Sequence, residues 1–298
     1  MEQRRELGPH VSVLFGHEQG KYPDGNTVLV CGTESTMAID PALSARSAAL
    51  DVDIVALTHA HEDHVAGVSA VAHRSLMVHE ADAPALRDRT ELMRMYGMPE
   101  ADWPAMDAIV AERFHYDGWP GAQGFAADSV LDLGGVTVRA VHAPGHTRGH
   151  TVFLIEPDGV LVTGDIDLST FGPYYGDAYS DLDDFESTLH AVRTIEARHY
   201  VTFHHKAVVD GHESFAAAID SYAAVIERRS SALLDLLGEP RTFDDLVGVG
   251  ILYRPGTRPP VFGESAERYT IRRHLDRLAR EGRVSSSGDG AAQEWARA

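Results

Sequence analysis

Apolar, β-branched runs of strand length alternate with polar, turn-rich breaks through roughly the first two hundred positions. His10–Phe15 and Asn26–Cys31 have strand character, separated by the polar connection Gly16–Gly25. Ser35–Pro41 predicts a third strand closed by Asp40, Ala42–Leu50 a short helix, and Asp53–Leu57 a buried strand. Val65–Val71 has helical periodicity. Thr58–His64 therefore reads as a loop between the carboxyl end of a buried strand and a helix. Leu76–His79 is a short strand, and His79 at its end reads as structural. Asp128–Leu133 and Val136–His142 predict strands around a Gly134–Gly135 turn, and Thr151–Ile155 and Val160–Val162 pair across Glu156–Gly159. A helix over Leu182–Glu196 and a strand over Tyr200–Phe203 follow.

Residues 80–128 break the rhythm. Their scattered Met93, Met95, Met98, Trp103, Met106, Phe114, Tyr116 and Trp119 suit either a helical lid facing an apolar ligand or packing onto the body. Beyond residue 212 the pattern changes again. Phe215–Leu237 is a long amphipathic helix broken at Gly238–Pro240. Thr242 with Asp245 three residues on is an N-cap signal. Glu267–Gly282 predicts a helix with Ile271, Leu275 and Leu278 on one face, and Arg283–Val284 with a Ser/Gly turn predicts a small β-wing. The expected division is a body over 1–212, a connecting helix over 213–238 and a small unit over 239–298.

With 298 residues the chain is long enough for one large α/β domain plus a small appendix, and at 44% hydrophobic and 24% charged its composition is ordinary for a soluble globular protein. No apolar run approaches the roughly 18 residues of a membrane span, and the charged start Met1–Glu6 predicts no signal peptide. The lone Cys31 excludes an intramolecular disulfide and suits a reducing, cytoplasmic compartment. The net charge of −19 argues against a nucleic-acid surface. From Glu239 onward ten arginines face nine acidic residues, so the body carries nearly all of that charge. Lys21 and Lys206 are the only lysines.

Candidate chemistry concentrates in His59, His61, Asp63 and His64. Imidazoles and carboxylates are the N and O ligands that zinc or iron takes, and a loop at a strand end leaves positions open for water. Downstream, Pro144–His150 carries His146 and His150, Thr163–Asp165 ends a strand in a carboxylate, and Phe203–Lys206 contains His204 and His205.

His59-x-His61-x-Asp63-His64, followed by Pro-Gly-His146-Thr-x-Gly-His150, resembles the signatures of the metallo-β-lactamase-fold hydrolases. The resemblance implies a four-layer αββα fold, here followed by a small winged-helix-like C-terminal domain, as in the glyoxalase II-like branch and its winged-helix-bearing relatives. It implies two divalent metal ions, with zinc first and iron or manganese as alternatives. His59, His61 and His146 would hold one ion, Asp63, His64 and His205 the other, and Asp165 would bridge them. The last position departs from the family's Pro-Gly-His-Gly. Aligning the strand end puts His205 on the ligand position, with His204 as the alternative. His150 and His204 are then expected to orient the ligands from behind.

The implied activity is attack of a metal-bridging hydroxide on a small thioester or ester carbonyl, with Asp63 and Asp165 as catalytic groups. Tyr174, Tyr175 and Lys206 are candidates for contacting the substrate. A lactonase and a mononuclear-iron persulfide dioxygenase, binding through His59, His146 and Asp165, share the motif. An RNA-cleaving enzyme is disfavoured by the charge. A DNA-binding regulator would use Arg272, Arg273, Arg277 and Arg280, for which packing or a homodimer contact is the preferred role. The expected partner is a small-molecule substrate, with no membrane association.

Overall fold

The structure, a computed structural model, describes residues 4–289 and 293–298. Met1–Gln3, part of the charged start, and residues 290–292, part of the turn expected in the C-terminal wing, lie outside the described residues.

Strands β1 (Arg4–Glu6), β2 (Val11–Leu14), β3 (Thr27–Cys31), β4 (Thr36–Ile39), β5 (Ile54–Ala56), β6 (Ser75–His79) and β7 (Gln123–Phe125) form one sheet in sequence order. Pairing is antiparallel as far as β4 and parallel from β4 to β7. Between β6 and β7 the chain makes three helices, α1 (Ala83–Arg87), α2 (Arg89–Tyr96) and α3 (Trp103–Phe114). The second sheet contains β8 (Val130–Asp132), β9 (Thr137–His142), β10 (Thr151–Glu156), β11 (Val160–Val162), β12 (His199–Val201) and β13 (Val208–Asp210), also in sequence order. Its one parallel pair, β11 with β12, is joined through α4 (Leu182–Arg193). Helix α5 (His212–Leu236) follows β13.

Three apolar layers explain the stacking. Val11, Val13, Val28 and Ile39 from the first sheet meet Val138, Phe153, Ile155 and Val160 from the second in one buried cluster between the sheets. Leu86, Leu92, Met93, Met106 and Val110 of α1–α3 cover the outer face of the first sheet against Val55, Leu57 and Val78. Phe185 and Leu189 of α4 and Phe215, Ile219 and Tyr222 of α5 cover the second sheet. The result is helix, sheet, sheet, helix, an α/β sandwich of four layers.

The tail builds its own small core. A two-residue strand β14 (Arg241–Thr242) leads into α6 (Phe243–Val249), then α7 (Gly263–Arg280), β15 (Val284–Ser287) and β16 (Glu294–Arg297), with sheet order β14-β16-β15. Thr242 and Asp245 cap α6 reciprocally. Ile271, Leu275 and Leu278 are fully buried against Leu246, Val284 and Trp295, joined by Leu233 from the far end of α5 and Leu237 just beyond it. Among the described residues no helix is long and apolar enough to cross a membrane.

Two short helices are tighter than the periodicity suggests. Leu43–Ser47 and Val68–Ala70 are 3-10 turns rather than α-helices. In the second case Val65, Ala66 and Val68 are all buried, and Gly67 N–H donates across to Pro41 O at 2.7 Å instead of continuing a helix. The backbone there ties the motif loop to the β4 turn. Residues 80–128 are mostly helical, and Met93, Met95 and Met98 pack into the body. Tyr96 and Met106 also reach a pocket. His79 stacks on His142 at 4.3 Å.

Candidate metal centre

The loops that follow β5, β9, β11 and β12 leave the carboxyl ends of their strands at one rim of the sandwich. Thr151 N–H donates to Thr58 O at 2.9 Å and ties the two sheets together there. The rim brings together two groups able to hold a metal ion: His59, His61, His146 and Asp165, and Asp63, His64 and His204.

In the first group, His59 Nε2, His61 Nδ1 and His146 Nε2 lie 3.0–3.1 Å from one another. Asp165 Oδ2 is 3.2 Å from His146 Nε2 and 4.0 Å from His59 Nε2. The other nitrogen of each ring fixes which atom faces inward. His146 Nδ1–H donates to Tyr174 O at 2.8 Å. His59 Nδ1 is 3.1 Å from Thr58 Oγ1, whose own hydroxyl donates to Asp40. His61 Nε2 faces Asp177 Oδ2 at 2.9 Å, though poorly aligned for a hydrogen bond. Three inward lone pairs this close repel one another unless a cation sits between them. Their separation is near the edge of about 3.3 Å expected for a tetrahedron with metal–nitrogen distances of about 2.0–2.1 Å.

In the second group, His204 Nε2 is 2.9 Å from Asp63 Oδ2. His64 Nε2 is 2.9 Å from Asp165 Oδ1. The two oxygens of Asp165 therefore face different groups. Behind them, His64 Nδ1 donates to Asp40 at 3.0 Å and His204 Nδ1–H donates to Gly20 O at 2.8 Å. His150 donates through Nδ1 to Ala143 O and accepts Asp165 N–H on Nε2 at 3.2 Å, so it holds the Asp165 turn from behind. That turn needs Gly164: its φ is +54°, and a Cβ there would meet His150 Nε2 at 2.7 Å.

The charges suit a cation. Burial alone would drive His61 and His204 down, but Asp177 on one side and Asp63 with Asp165 on the other carry each up to about 9. His59, buried and surrounded by three imidazoles, is held well below its ordinary value. Burial raises Asp165, but His64 and His146 outweigh it and hold the carboxyl low. The field that draws protons to these rings also draws a divalent ion, and proton and metal compete for the same lone pairs.

Three expectations are corrected. His205 does not join the second group: its side chain is 40% exposed, 3.8 Å from Asp167, and His204 takes the converging position. The reason is register. Strand β12 ends at Val201 rather than Phe203, Phe203 stacks beneath His64 at 3.6 Å, and the next ring turns inward. At His205 the backbone is left-handed, φ 62°, which swings its ring out. Tyr175 points into the core, fully buried, with its hydroxyl 2.8 Å from His274 Nε2. Lys206 is exposed and lies outside the pocket.

Tyr174 does border the pocket, a cavity of about 310 Å³ in front of both groups. Its hydroxyl donates to Asp177 at 3.2 Å. Glu62 lies on the floor and accepts from Tyr96 at 2.5 Å and from Tyr22 at 3.3 Å. Asp40, Glu62, Tyr22 and Asp177 are functional candidates that motif spacing does not single out. Of these, only Asp40, as the acidic end of a strand beside the motif strand, carries a signal.

The profile of the metallo-beta-lactamase superfamily matches residues 22–212, a span holding every member of both groups. The chain belongs to the metallo-beta-lactamase superfamily. Superfamily membership and the two donor groups together support the use of divalent metal. Among curated relatives, the atrochrysone carboxyl ACP thioesterase of Aspergillus terreus is 26% identical over 173 residues, covering 54% of this chain and 44% of that protein. The hydroxyacylglutathione hydrolase of Haemophilus influenzae is 28% identical over 149 residues, covering 49% of this chain and 62% of that protein. The chain spans about half the length of such relatives. A solved metallo-beta-lactamase family protein from Thermus thermophilus shares the fold, with a TM-score of 0.72 at 23% identity over 98% of this chain and 100% of that one.

Proposed function

We propose that the protein is a dinuclear metal-dependent hydrolase acting on a small thioester or ester. The observation that carries this reading is Asp165, whose two oxygens face two separate donor groups within one rim. Two divalent ions held there would lower the pKa of a shared water towards neutrality and polarise a carbonyl. His59, His61 and His146 would hold one, Asp63, His64 and His204 the other, with Asp165 between them.

The chain's own contribution is orientation. Tyr174 O, Thr58 and Asp40 fix the tautomers of His146, His59 and His64, so that each presents a bare nitrogen to the centre. Asp63 acts as a ligand first, because its Oδ2 lies 2.9 Å from His204 Nε2 within one donor group. Tyr174 borders the pocket, with its hydroxyl donating to Asp177. A pocket of about 310 Å³ suits a small molecule. The thioester choice rests on the relatives, a thioesterase and a hydroxyacylglutathione hydrolase, and on a carbonyl being the group such a centre activates.

A DNA-binding role for the tail has little support. On α7, Arg273 donates to four backbone carbonyls of residues 175–180, Arg277 pairs with Glu186 and Arg280 with Asp183. Arg272 lies over Phe243 at 4.2 Å. The arginines are engaged within the chain. We place the protein in the cytoplasm on the strength of its unpaired Cys31.

Elemental analysis of protein isolated without added metal, followed by assay on simple thioesters, tests the proposal. About two zinc, or mixed zinc and iron, with thioester turnover supports it. About one iron per chain, with oxygen consumed on adding a persulfide, moves the protein to the dioxygenases.

A further inference from the structure

The tail does more than pack on the body. The segment between α6 and α7 supplies Tyr253, Pro259 and Phe262 to the wall of the pocket facing the two metal groups. The segment is fixed from within its own unit. Glu267 on α7 is fully buried, and its carboxylate accepts the backbone N–H groups of Ile251, Leu252 and Tyr253. Arg258 donates to Val247 O at 2.6 Å and closes the other side. Tyr253 in turn meets Phe171 at 5.9 Å between ring centres. Phe171 and Tyr22, both partly exposed, also line the pocket.

The wall has a definite chemical character. Among the described residues the lining contains no lysine or arginine, and it contains the carboxyl groups of Glu62, Asp63, Asp165, Asp167 and Asp177. Burial raises the Glu62 and Asp167 carboxyls, but the lining still offers no lysine or arginine to a further anion. A carboxylate or phosphate on the substrate would give up water beside these carboxyl groups with no lysine or arginine to pair with. An apolar or aromatic group gains contact with Tyr253, Phe262, Phe171 and Met106.

We propose that the C-terminal unit is the specificity wall of this site, and that the substrate group it holds is uncharged and apolar or aromatic. This deepens the hydrolase reading and rests on it for the reaction, but the binding preference stands on the wall itself.

The test uses the metal-loaded full chain and two matched probe sets. The first comprises N-acetylcysteamine thioesters of acetyl, pentanoyl, phenylpropanoyl and succinyl groups, read as kcat/KM. The second comprises the corresponding ketones, with a methylene in place of sulfur, read as binding by calorimetry. Pentanoyl and phenylpropanoyl are expected to exceed succinyl by roughly tenfold or more in both readouts. Tyr253→Ala and Phe262→Ala are each expected to reduce the phenylpropanoyl-to-acetyl ratio by about tenfold. Tyr253→Arg, which keeps bulk in the wall, is expected to shift preference towards succinyl. Succinyl bound as well as pentanoyl, or ratios unmoved in all three variants, overturns the inference. Ketone preferences that follow the variants without turnover of any thioester uphold the wall and remove the hydrolase reading. Absence of both binding and turnover removes both.

Discussion

His204 Nε2 lies 2.9 Å from Asp63 Oδ2, while the next ring, His205, stands partly exposed at the pocket, 3.8 Å from Asp167 and outside both donor groups. In the proposed dinuclear centre the second metal position would depend on the first histidine of the pair. His204→Ala should reduce bound metal from about two ions per chain to about one, and His205→Ala should leave the content unchanged. Elemental analysis after dialysis against a weak chelator reads both. The reverse pattern would restore His205 to the centre.

Asp40 supports that centre without touching it. Its carboxylate accepts Thr58 N–H at 2.8 Å, the Thr58 hydroxyl at 2.7 Å and His64 Nδ1–H at 3.0 Å. Without it His64 can rotate, and Thr58 no longer fixes His59. Asp40→Ala should weaken metal binding by about 10–100-fold, the usual cost of losing an outer partner of a ligand. Competition against a chromogenic chelator measures this, and an unchanged affinity would show that packing alone orients His64.

The layered body was legible in the sequence because its strands are short apolar runs bounded by strong turn residues. The motif loop was legible because four metal-capable side chains fall within six residues. What failed to show was set by tertiary contact. Strand β12 stops two residues early because Phe203 is needed under His64. Val65–Ala70 is no α-helix because Gly67 bonds to Pro41. Tyr174 and Tyr175 are indistinguishable as neighbours, yet one faces the pocket and the other His274. Nothing local to Tyr253 announces that it belongs to a site nearly two hundred residues earlier in the chain.

Arg273 links the tail to the loop that carries Tyr174. Its guanidinium donates to carbonyl oxygens of Tyr175, Asp177, Ala178 and Ser180, and Tyr174 O in turn orients His146. Arg273→Ala should cost about 2–3 kcal/mol of stability, since several part-buried hydrogen bonds to a charged group are lost together. It should also speed amide exchange over residues 174–181. Arg273→Lys should not restore protection, because one ammonium cannot replace the planar fork. Protection equal to wild type in the alanine variant would mean that the loop holds its own shape.

His274 makes the junction between tail and body sensitive to acid. It is fully buried, with Nδ1 2.9 Å from Ser230 Oγ and Nε2 2.8 Å from the Tyr175 hydroxyl. Burial first, then the nearby Arg229 and Arg277, pushes its pKa down to about 3. In the unfolded chain the ring titrates near its ordinary value of about 6.5. Above that pH the ring is neutral in both states and costs the fold nothing. As pH falls, only the unfolded chain takes up the proton, so stability drains away between about 6.5 and about 3, by up to about 1.4 kcal/mol per pH unit. His274→Gln keeps a donor and an acceptor but cannot titrate. Its urea-unfolding free energy should fall less steeply than wild type between pH 6.5 and 4, with the curves parallel above pH 7. Parallel curves throughout would mean that the ring takes up its proton inside the fold, and the neutral bridge between Ser230 and Tyr175 would have to be abandoned.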